Sequence, residues 1–212
     1  PKGVDNVRID EDSWERAFVR IINPLGEENS VMRTILTPNM LEVLGRNYSR
    51  NIDSVKAFEI GNTFMANMLG DDKLPDEQYS LCIGMYGKDE DFYSLKGVVT
   101  ELLRIMGIRN IGFVAESEYG VYHPGRCARI TVTPKPEAEF HDGEQEELGI
   151  MGEIHPDVAE NYGMDGLRIY CCELMFDGIM RHADTEIVYT PLPKYPSTSR
   201  DIALLVDEEM EV

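Results

Sequence analysis

The sequence has no long hydrophobic run. Nowhere do about 20 apolar residues follow one another, which is the length that a membrane-spanning helix needs. The first residues, Pro1, Lys2 and Gly3, provide neither an initiator Met nor an apolar signal segment. We therefore expect no membrane partner. We also expect that the chain is cut from a longer one, because the strand-like run up to Val206 is followed only by a few acidic residues.

Cysteine is scarce and lacks the spacing of metal or redox motifs. The four cysteines are Cys82, Cys127, Cys171 and Cys172, and none of them forms a Cys-x-x-Cys pair. The adjacent pair is poorly placed for a disulfide within itself. We predict four reduced thiols and a cytoplasmic protein.

Basic side chains are few, with 20 Lys and Arg against 39 Asp and Glu and a formal net charge of −19. The average field repels phosphate-rich ligands, so we do not expect nucleic acid as a direct ligand of this chain. A strong acidic excess more often serves solubility than function. The 212 residues, 42% of them hydrophobic, suit one substantial globular domain, or one domain and the start of another.

The common catalytic motifs are missing. Glycine-rich phosphate loops, a Gly-x-Ser-x-Gly elbow and the Asp-x-Asp-x-Asp-Gly calcium loop do not occur. Two turns, His123-Pro124-Gly125 and His155-Pro156-Asp157, are candidates for metal binding or acid–base chemistry, because imidazole binds zinc and titrates near neutral pH. Neither has a second ligand at helical spacing, so a histidine bonded to its own backbone is the favoured interpretation. The acidic segments 71–72 and 144–147 are interpreted as solvated loops rather than magnesium sites.

Hydrophobic periodicity predicts an α+β fold with a mainly antiparallel sheet. Thr37 and Pro38 are typical of a helix start, and a second helix is predicted from about Phe92 to Met106. Two antiparallel strands are predicted at 57–65 and 79–85, joined by a loop through Gly70. Further elements are a strand or short helix at 14–22 and strands at 127–133, 148–154 and 167–174, with an acidic hairpin loop at 137–147.

A proline-rich joint near Thr190 predicts a domain boundary. We assign residues 1–189 to one main domain and residues 190–212 to the start of a second. From its residues alone, the sequence predicts an α+β domain and does not indicate a function.

Several sequence blocks resemble the phenylalanyl-tRNA synthetase beta subunit family of the bacterial type. The blocks follow in the family's order and span most of the chain. They are NPLGEENSVMRT from Asn23 to Thr34 with Pro38, FEIG at 58–61, DFYSLKG at 91–97, HPGR at 123–126, GEIHPDV at 152–158, and PLPKYP at 191–196 with Arg200 and Asp201.

This resemblance implies a class II aminoacyl-tRNA synthetase-like antiparallel sheet flanked by helices. Active members of that class hold ATP with an arginine on a sheet strand and a second arginine at a strand-to-helix junction. At the first position this sequence has Glu59, and at the second it has Asp177 and Gly178, with Arg181 three residues further on. We therefore predict a module that cannot adenylate an amino acid and has no catalytic, cofactor-binding or metal residue of its own.

The resemblance also implies the assembly. The alpha subunit would perform the ATP- and magnesium-dependent reaction, and this module would dock on it in an (αβ)₂ heterotetramer. Residues 190–212 would begin a ferredoxin-like anticodon-binding domain, where Lys194 and Arg200 would approach tRNA in the full subunit. The family landmarks are expected to shape the core and the interface. They are Pro24, Arg33, Thr34, Pro38, Phe58, Glu59, Gly61, Lys96, Gly97, His123, Pro124, Gly125, His155 and Pro156.

Two alternatives remain open at this point. A stand-alone synthetase paralogue would bind an amino acid or adenylate through other residues, and it would need a pocket rich in hydrogen-bond donors. A metal-dependent domain would use His123, His155 and nearby carboxylates.

Overall fold

The structure is a computed structural model that describes residues 2–26, 30–66, 74–134 and 145–184, together with 186, 194, 195, 198 and 200–203. Its centre is a six-stranded sheet in the order β1-β2-β6-β5-β4-β3, in which each neighbouring pair is antiparallel. The strands are β1 Val55–Met65, β2 Asp76–Tyr86, β3 Ile111–Ala115, β4 Tyr122–Val132, β5 Glu146–Ile154 and β6 Ile169–Met175.

Five helices accompany the sheet in the described part of the chain. They are α1 Lys2–Asn6, α2 Thr37–Tyr48, α3 Phe92–Ile105, α4 Pro156–Asn161 and α5 Phe176–His182, and a 3₁₀ turn covers Trp14–Arg16. The apolar stripe of α3, with Leu95, Val99 and Leu103 fully buried, packs on one face of the sheet together with Ile179 of α5. The opposite face carries α2, whose Met40 and Leu44 lie close to the backbone of Gly84 on β2.

The predicted helices and the hairpin are confirmed. Helix α3 begins at a capping box, in which Asp91 accepts a bond from the Ser94 amide and Ser94 accepts one from the Asp91 amide. Strands β1 and β2 pair over their whole length, while the loop predicted through Gly70 lies outside the described residues. The joint near Thr190, most of the acidic loop 137–147 and the second half of the last predicted strand also lie outside them.

Two local predictions were wrong in detail. The segment 14–22 is neither a strand nor a regular helix, because it contains one 3₁₀ turn and a single bridge from Arg20 to Val31. The sequence His123-Pro124-Gly125 is not a separate turn but part of β4. The pairing with β5 is interrupted between Tyr122 and Cys127, which is where a proline, having no amide hydrogen, is tolerated in a strand.

Strand β1 forms one edge of the sheet and alternates as predicted. The alternation separates Phe58 and Ile60 from Glu59 and Gly61, but the apolar side does not face the core. Phe58 is 73% exposed and Ile60 is 49% exposed. The edge of the sheet therefore carries an apolar strip that the described residues leave uncovered.

Candidate functional site

A cavity of about 360 Å³ opens on the α2 side of the sheet, and we call it the sheet cavity. Its walls come from the 3₁₀ turn, the segment before α2, the loop before β4 and strands β1, β2, β4, β5 and β6. Helix α2 covers only part of this face, so the remaining part of the sheet forms the floor of the cavity. The polar and charged residues lining it are Ser13, Glu15, Thr34, Thr37, Thr63, Gln78, Ser80, Tyr119, Tyr122, Arg129, Glu147 and Glu173.

Glu173 of β6 is a buried carboxylate in this cavity, and it is held by the first turn of α2. One carboxylate oxygen accepts a bond from the Leu36 amide at 2.7 Å. The other accepts bonds from the Thr37 amide at 2.9 Å and the Thr37 hydroxyl at 2.6 Å. Burial raises the pKa of Glu173 above its ordinary value, and the hydrogen bonds from Thr37 and Leu36 only partly oppose this.

Glu15 also lines the cavity and is 5% exposed. Its carboxylate accepts hydrogen bonds from the hydroxyls of Ser13 and Tyr119, each at 2.5 Å. Burial and the neighbouring Glu15 carboxylate raise the pKa of Tyr119 far above its ordinary value. Tyr119 is therefore a neutral donor, and it does not supply a counter-charge to Glu15.

Arg129 of β4 lines the cavity, and its guanidinium is paired with two carboxylates. Its Nε donates to Glu116 at 2.5 Å, and its Nη1 donates to both carboxylate oxygens of Glu147 at 2.9 Å. The described lining therefore contains more carboxylates than cations, and the Arg129 guanidinium is neutralised by its own neighbours.

Four family landmarks come together beside the cavity. Arg33 donates to Glu59 at 2.6 Å and to the Asn62 carbonyl at 2.9 Å. Because Gly61 has no side chain, it leaves room for the Arg33 guanidinium to reach Glu59. A Cβ atom at this position would lie 2.2 Å from that guanidinium. Thr34, the next residue, donates its hydroxyl to the Glu15 carbonyl at 2.6 Å.

The junction between β6 and α5 places Asp177 in the first turn of α5 and Gly178 in the buried side of that turn. Arg181 points to Glu146 of β5 and forms an ion pair with it, and His182 contacts the same carboxylate at 2.8 Å. Arg181 is therefore paired with a carboxylate, and it is not among the residues that line the sheet cavity.

Both candidate histidines bond to local backbone. Nδ1 of His123 accepts a bond from the Gly125 amide at 3.1 Å. His155 caps α4 by accepting a bond from the Asp157 amide at 3.2 Å, and Arg8 contacts the same ring nitrogen at 2.7 Å. Burial and the Arg8 charge lower the pKa of His155. Within the described ranges, no three His, Cys, Asp or Glu side chains lie together in a way that would hold a metal ion.

The other landmarks are dispersed. Pro38 is buried in the first turn of α2, and Pro156 opens α4. Lys96 lies over the Phe113 ring at 4.4 Å, whereas a Cβ atom added at Gly97 would meet nothing within 4 Å. Pro24, Phe58, Pro124, Gly125, Lys194 and Arg200 are exposed.

The four cysteines are buried and free. Cys171 packs in the core under α2 and Cys172 packs in the core under α3, so the two adjacent side chains lie on opposite faces of β6. Burial raises the pKa of each thiol, to about 12 for Cys127. The prediction of reduced thiols is confirmed, and none of them is activated as a nucleophile.

Sequence reasoning missed the residues that build the cavity. Glu15, Tyr119 and Arg129 have no motif, and they meet Glu173 only through the fold. Glu173 falls within the strand predicted at 167–174, but its burial was not expected. A charged residue within a run of strand-like apolar residues was the signal that the sequence offered.

The sequence comparisons identify the family of the chain. A family model described as "Phenylalanyl tRNA synthetase beta chain CLM domain" matches residues 1–176. The chain belongs to this family. It is 40% identical to the phenylalanine–tRNA ligase beta subunits of Clostridium tetani and Clostridium acetobutylicum, and each alignment covers 100% of this chain and 25% of the relative. The beta subunit of Symbiobacterium thermophilum is 32% identical over 99% of this chain and 23% of its own length.

The chain thus spans about a quarter of the length of the curated relatives that it matches. Its helices give no indication of membrane insertion, since in the described part none is both long and apolar enough to span a bilayer.

Proposed function

We propose that this chain is a non-catalytic structural and subunit-interaction module of a phenylalanine–tRNA ligase, with a class II synthetase-like fold. The six-stranded antiparallel sheet with helices on both faces, together with membership of the beta chain family, supports this assignment. Residues 1–189 would form the module, and residues 190–212 would begin an anticodon-binding domain.

The proposal of a non-catalytic role rests on one observation, which is the excess of carboxylates over cations in the sheet cavity. Activation of an amino acid with ATP needs cations against the triphosphate, because charge develops on the phosphates in the transition state. Here Glu173 is buried in the cavity, and Arg129 is neutralised by Glu116 and Glu147. A triphosphate does not fit this donor set, so we assign no step of the reaction to these residues.

The two positions at which an arginine was expected support the same conclusion. Glu59 is an anion, and its partner Arg33 is held by it at 2.6 Å. Asp177 occupies the junction, and Arg181 is paired with Glu146. Restoring activity would therefore require more than one substitution.

We infer that the alpha subunit performs the ATP- and magnesium-dependent ligation in an (αβ)₂ assembly in the cytoplasm. In the full beta subunit, Lys194 and Arg200 would approach tRNA, and both are exposed. The metal-dependent alternative gains no support from His123 and His155, whose ring nitrogens accept backbone bonds. No described contact favours a stand-alone paralogue.

The exposed strip on β1 and β2 is the surface that we assign to the alpha subunit. Phe58, Ile60 and Tyr79 lie on one face at the edge of the sheet, and Tyr79 is 52% exposed. Large exposed apolar side chains at an open sheet edge are typical of interaction surfaces. A strip of this kind would be buried by a docked partner.

The assignment is tested by mixing the chain with the matching alpha subunit and measuring the mass of the complex by light scattering. Phenylalanine-dependent pyrophosphate exchange is assayed on each component and on the mixture. We expect a stoichiometric complex, with exchange only where the alpha subunit is present. Exchange by this chain alone would overturn the non-catalytic role, and failure to form a complex would overturn the docking role.

The docking surface is tested separately with Phe58→Ser. We expect at least about a tenfold loss of affinity for the alpha subunit, because burial of a large aromatic side chain contributes about 1.5–3 kcal/mol. Val114→Ser is the matched control, since Val114 is 49% exposed on β3, at the opposite edge of the sheet. Equal losses for both variants would contradict the assignment of this strip.

A further inference from the structure

The sheet cavity has the size and shape of a small-molecule site. Its volume of about 360 Å³ lies at the lower end of the usual range for ligand pockets, about 300–1,000 Å³. One wall contributes Trp14, Tyr119 and Tyr122, and the rest of the apolar lining comes from aliphatic side chains. These are Ile35, Met65, Ile150 and Met175.

Two buried carboxylates of the cavity have no cationic partner among the described residues. Glu15 is bonded by two hydroxyls, and Glu173 is bonded by two amides and one hydroxyl. No ion pair involves either carboxylate in the part of the chain that the structure describes. A carboxylate offers about four acceptor positions, so each retains acceptor capacity that its neighbours do not use.

This arrangement of carboxylates lowers the free energy of unfolding of the chain. A buried charge without a counter-charge is destabilising, because hydrogen bonds from neutral donors replace only part of its hydration. Glu147, the third carboxylate of the lining, is balanced by Arg129, which also serves Glu116. The two remaining carboxylates would be compensated by a cation that enters the cavity.

A separate polar group in the wall also lacks a partner. Tyr122 is 2% exposed, and its buried hydroxyl forms no hydrogen bond with any described residue. Buried hydroxyls are nearly always satisfied by protein or by a bound molecule. Tyr122 is a lining residue, and its enclosed hydroxyl lies behind the wall of the cavity, close to the core cysteines Cys82 and Cys171.

We propose that the sheet cavity binds a small organic cation, a primary amine that carries an apolar group. The ammonium would take the unused acceptor positions of Glu15 and Glu173, and the apolar group would pack on the aromatic wall. Aromatic faces add to the attraction, since they stabilise a nearby cation. A metal ion fits less well, because the described residues do not gather three ligands around one point.

This proposal concerns a different property from docking on the alpha subunit, and its test uses the 212-residue chain without that subunit. The probe is n-hexylamine, with 1-hexanol and hexanoate as matched ligands of the same chain length. Trp14 is the only tryptophan of the sequence and lines the cavity, so its fluorescence reports on the site directly. Isothermal titration calorimetry supplies the affinities.

We expect hexylamine to change the Trp14 fluorescence and to bind with a dissociation constant of about 1 mM or below. Hexanol should bind at least about tenfold more weakly, because a neutral head group forfeits the charge-assisted hydrogen bonds. Hexanoate should not bind, because its carboxylate is repelled by those of the cavity. Equal affinities for the three ligands would overturn the proposal.

The matched variants locate the interaction. Glu15→Gln should weaken hexylamine binding at least about tenfold, whereas Glu101→Gln, in an exposed ion pair on α3, should leave it unchanged. If Glu15→Gln does not fold, Trp14→Ala provides the second test, because Trp14 is 54% exposed and lines the cavity. The affinity for hexylamine, measured by calorimetry, should decrease, since the apolar group loses its aromatic contact. Unchanged affinity in folded Glu15→Gln, or in Trp14→Ala, would overturn the site.

Discussion

The two faces of the sheet are built on different principles. The face under α3 and α5 is apolar throughout, and its core includes Ile83, Tyr170 and Leu174, all almost fully buried. The face under α2 is apolar only where the helix covers it, and beyond the helix it becomes the cavity with Glu173 in its lining. One face is explained by burial alone, whereas the other retains charged groups that burial does not favour.

This difference indicates that a binding site is to be expected on the cavity face. Packing under α3 and α5 stabilises the chain, and the residues buried there need no partner, whereas the strip of Phe58 and Ile60 at the edge of the same face stays exposed. The cavity face retains Glu15 and Glu173 at a cost in folding free energy, and hydrophobic side chains of similar volume would avoid that cost. Groups that destabilise a fold yet are held by several hydrogen bonds are candidates for binding.

The largest effect on stability is expected from Gly149→Ala, a substitution on the cavity face. Gly149 lines the cavity with φ +154°, and a Cβ atom would lie 2.1 Å from the Glu173 carbonyl oxygen. We expect a loss of about 4 kcal/mol in the free energy of unfolding, because backbone strain and overpacking add at this position. Chemical denaturation of the chain measures it.

Gly97→Ala is the control for that measurement. Gly97 lies in helix α3, and an added Cβ would meet nothing within 4 Å. Alanine should stabilise the chain there by about 0.5–1 kcal/mol, because it has the higher helix propensity. If Gly149→Ala were as harmless, the close approach of β5 to β6 would not be a constraint on the cavity floor.

The covered face is tested by Leu103→Ala. Leu103 is fully buried on α3, so we expect a loss of about 3 kcal/mol from removed contacts and the cavity left behind. Affinity for hexylamine should be unchanged, since the variant lies on the other side of the sheet. Val98→Ala, on the same helix but 42% exposed, should cost less than about 0.5 kcal/mol. A change in hexylamine affinity would show that the two faces are coupled.

Sequence reasoning worked where structure is local. The period of α3 and the alternation in β1 and β2 are set by neighbouring residues, so the helix and the hairpin were predicted closely. Alternation separates Phe58 from Glu59, but it does not say which side another element will cover. The apolar side of β1 proved to be the exposed one, because the helices of that face pack further into the sheet.

The candidate site could not be predicted from the sequence, because its contacts join residues that are distant in the chain. Glu15 and Glu173 belong to segments far apart in the chain, and only tertiary packing brings the 3₁₀ turn and β6 to one cavity. Arg33 and Glu59 were both noted as landmarks, but their ion pair depends on Gly61 leaving space for the guanidinium. Such contacts depend on tertiary geometry, and the periodicity of the sequence does not predict them.

A weaker effect is expected for that ion pair, which borders the cavity face. The side chains of Arg33 and Glu59 are each 33% exposed, so solvent screens their attraction. A double-mutant cycle with Arg33→Met and Glu59→Gln should give a coupling energy of about 0.5–1 kcal/mol in unfolding experiments. A coupling energy of zero would remove the structural role assigned to the pair.

The smallest effect concerns His155, which belongs to neither face and provides a reference for the buried carboxylates. Its pKa is lowered in the folded chain, so its stabilising contribution is present above the ordinary value of 6.5 and is lost as the pH falls through the folded pKa. The variant His155→Asn retains a side chain that caps α4 but does not titrate. We expect the free energy of unfolding of the parent chain, relative to this variant, to decrease between about pH 7.5 and about pH 5. For Glu173 the pH dependence has the opposite sign. Its pKa is raised in the folded chain, so its contribution to the free energy of unfolding is lost as the pH rises. A relative stability that stays constant over this range would show that Arg8 and burial do not perturb His155 in solution.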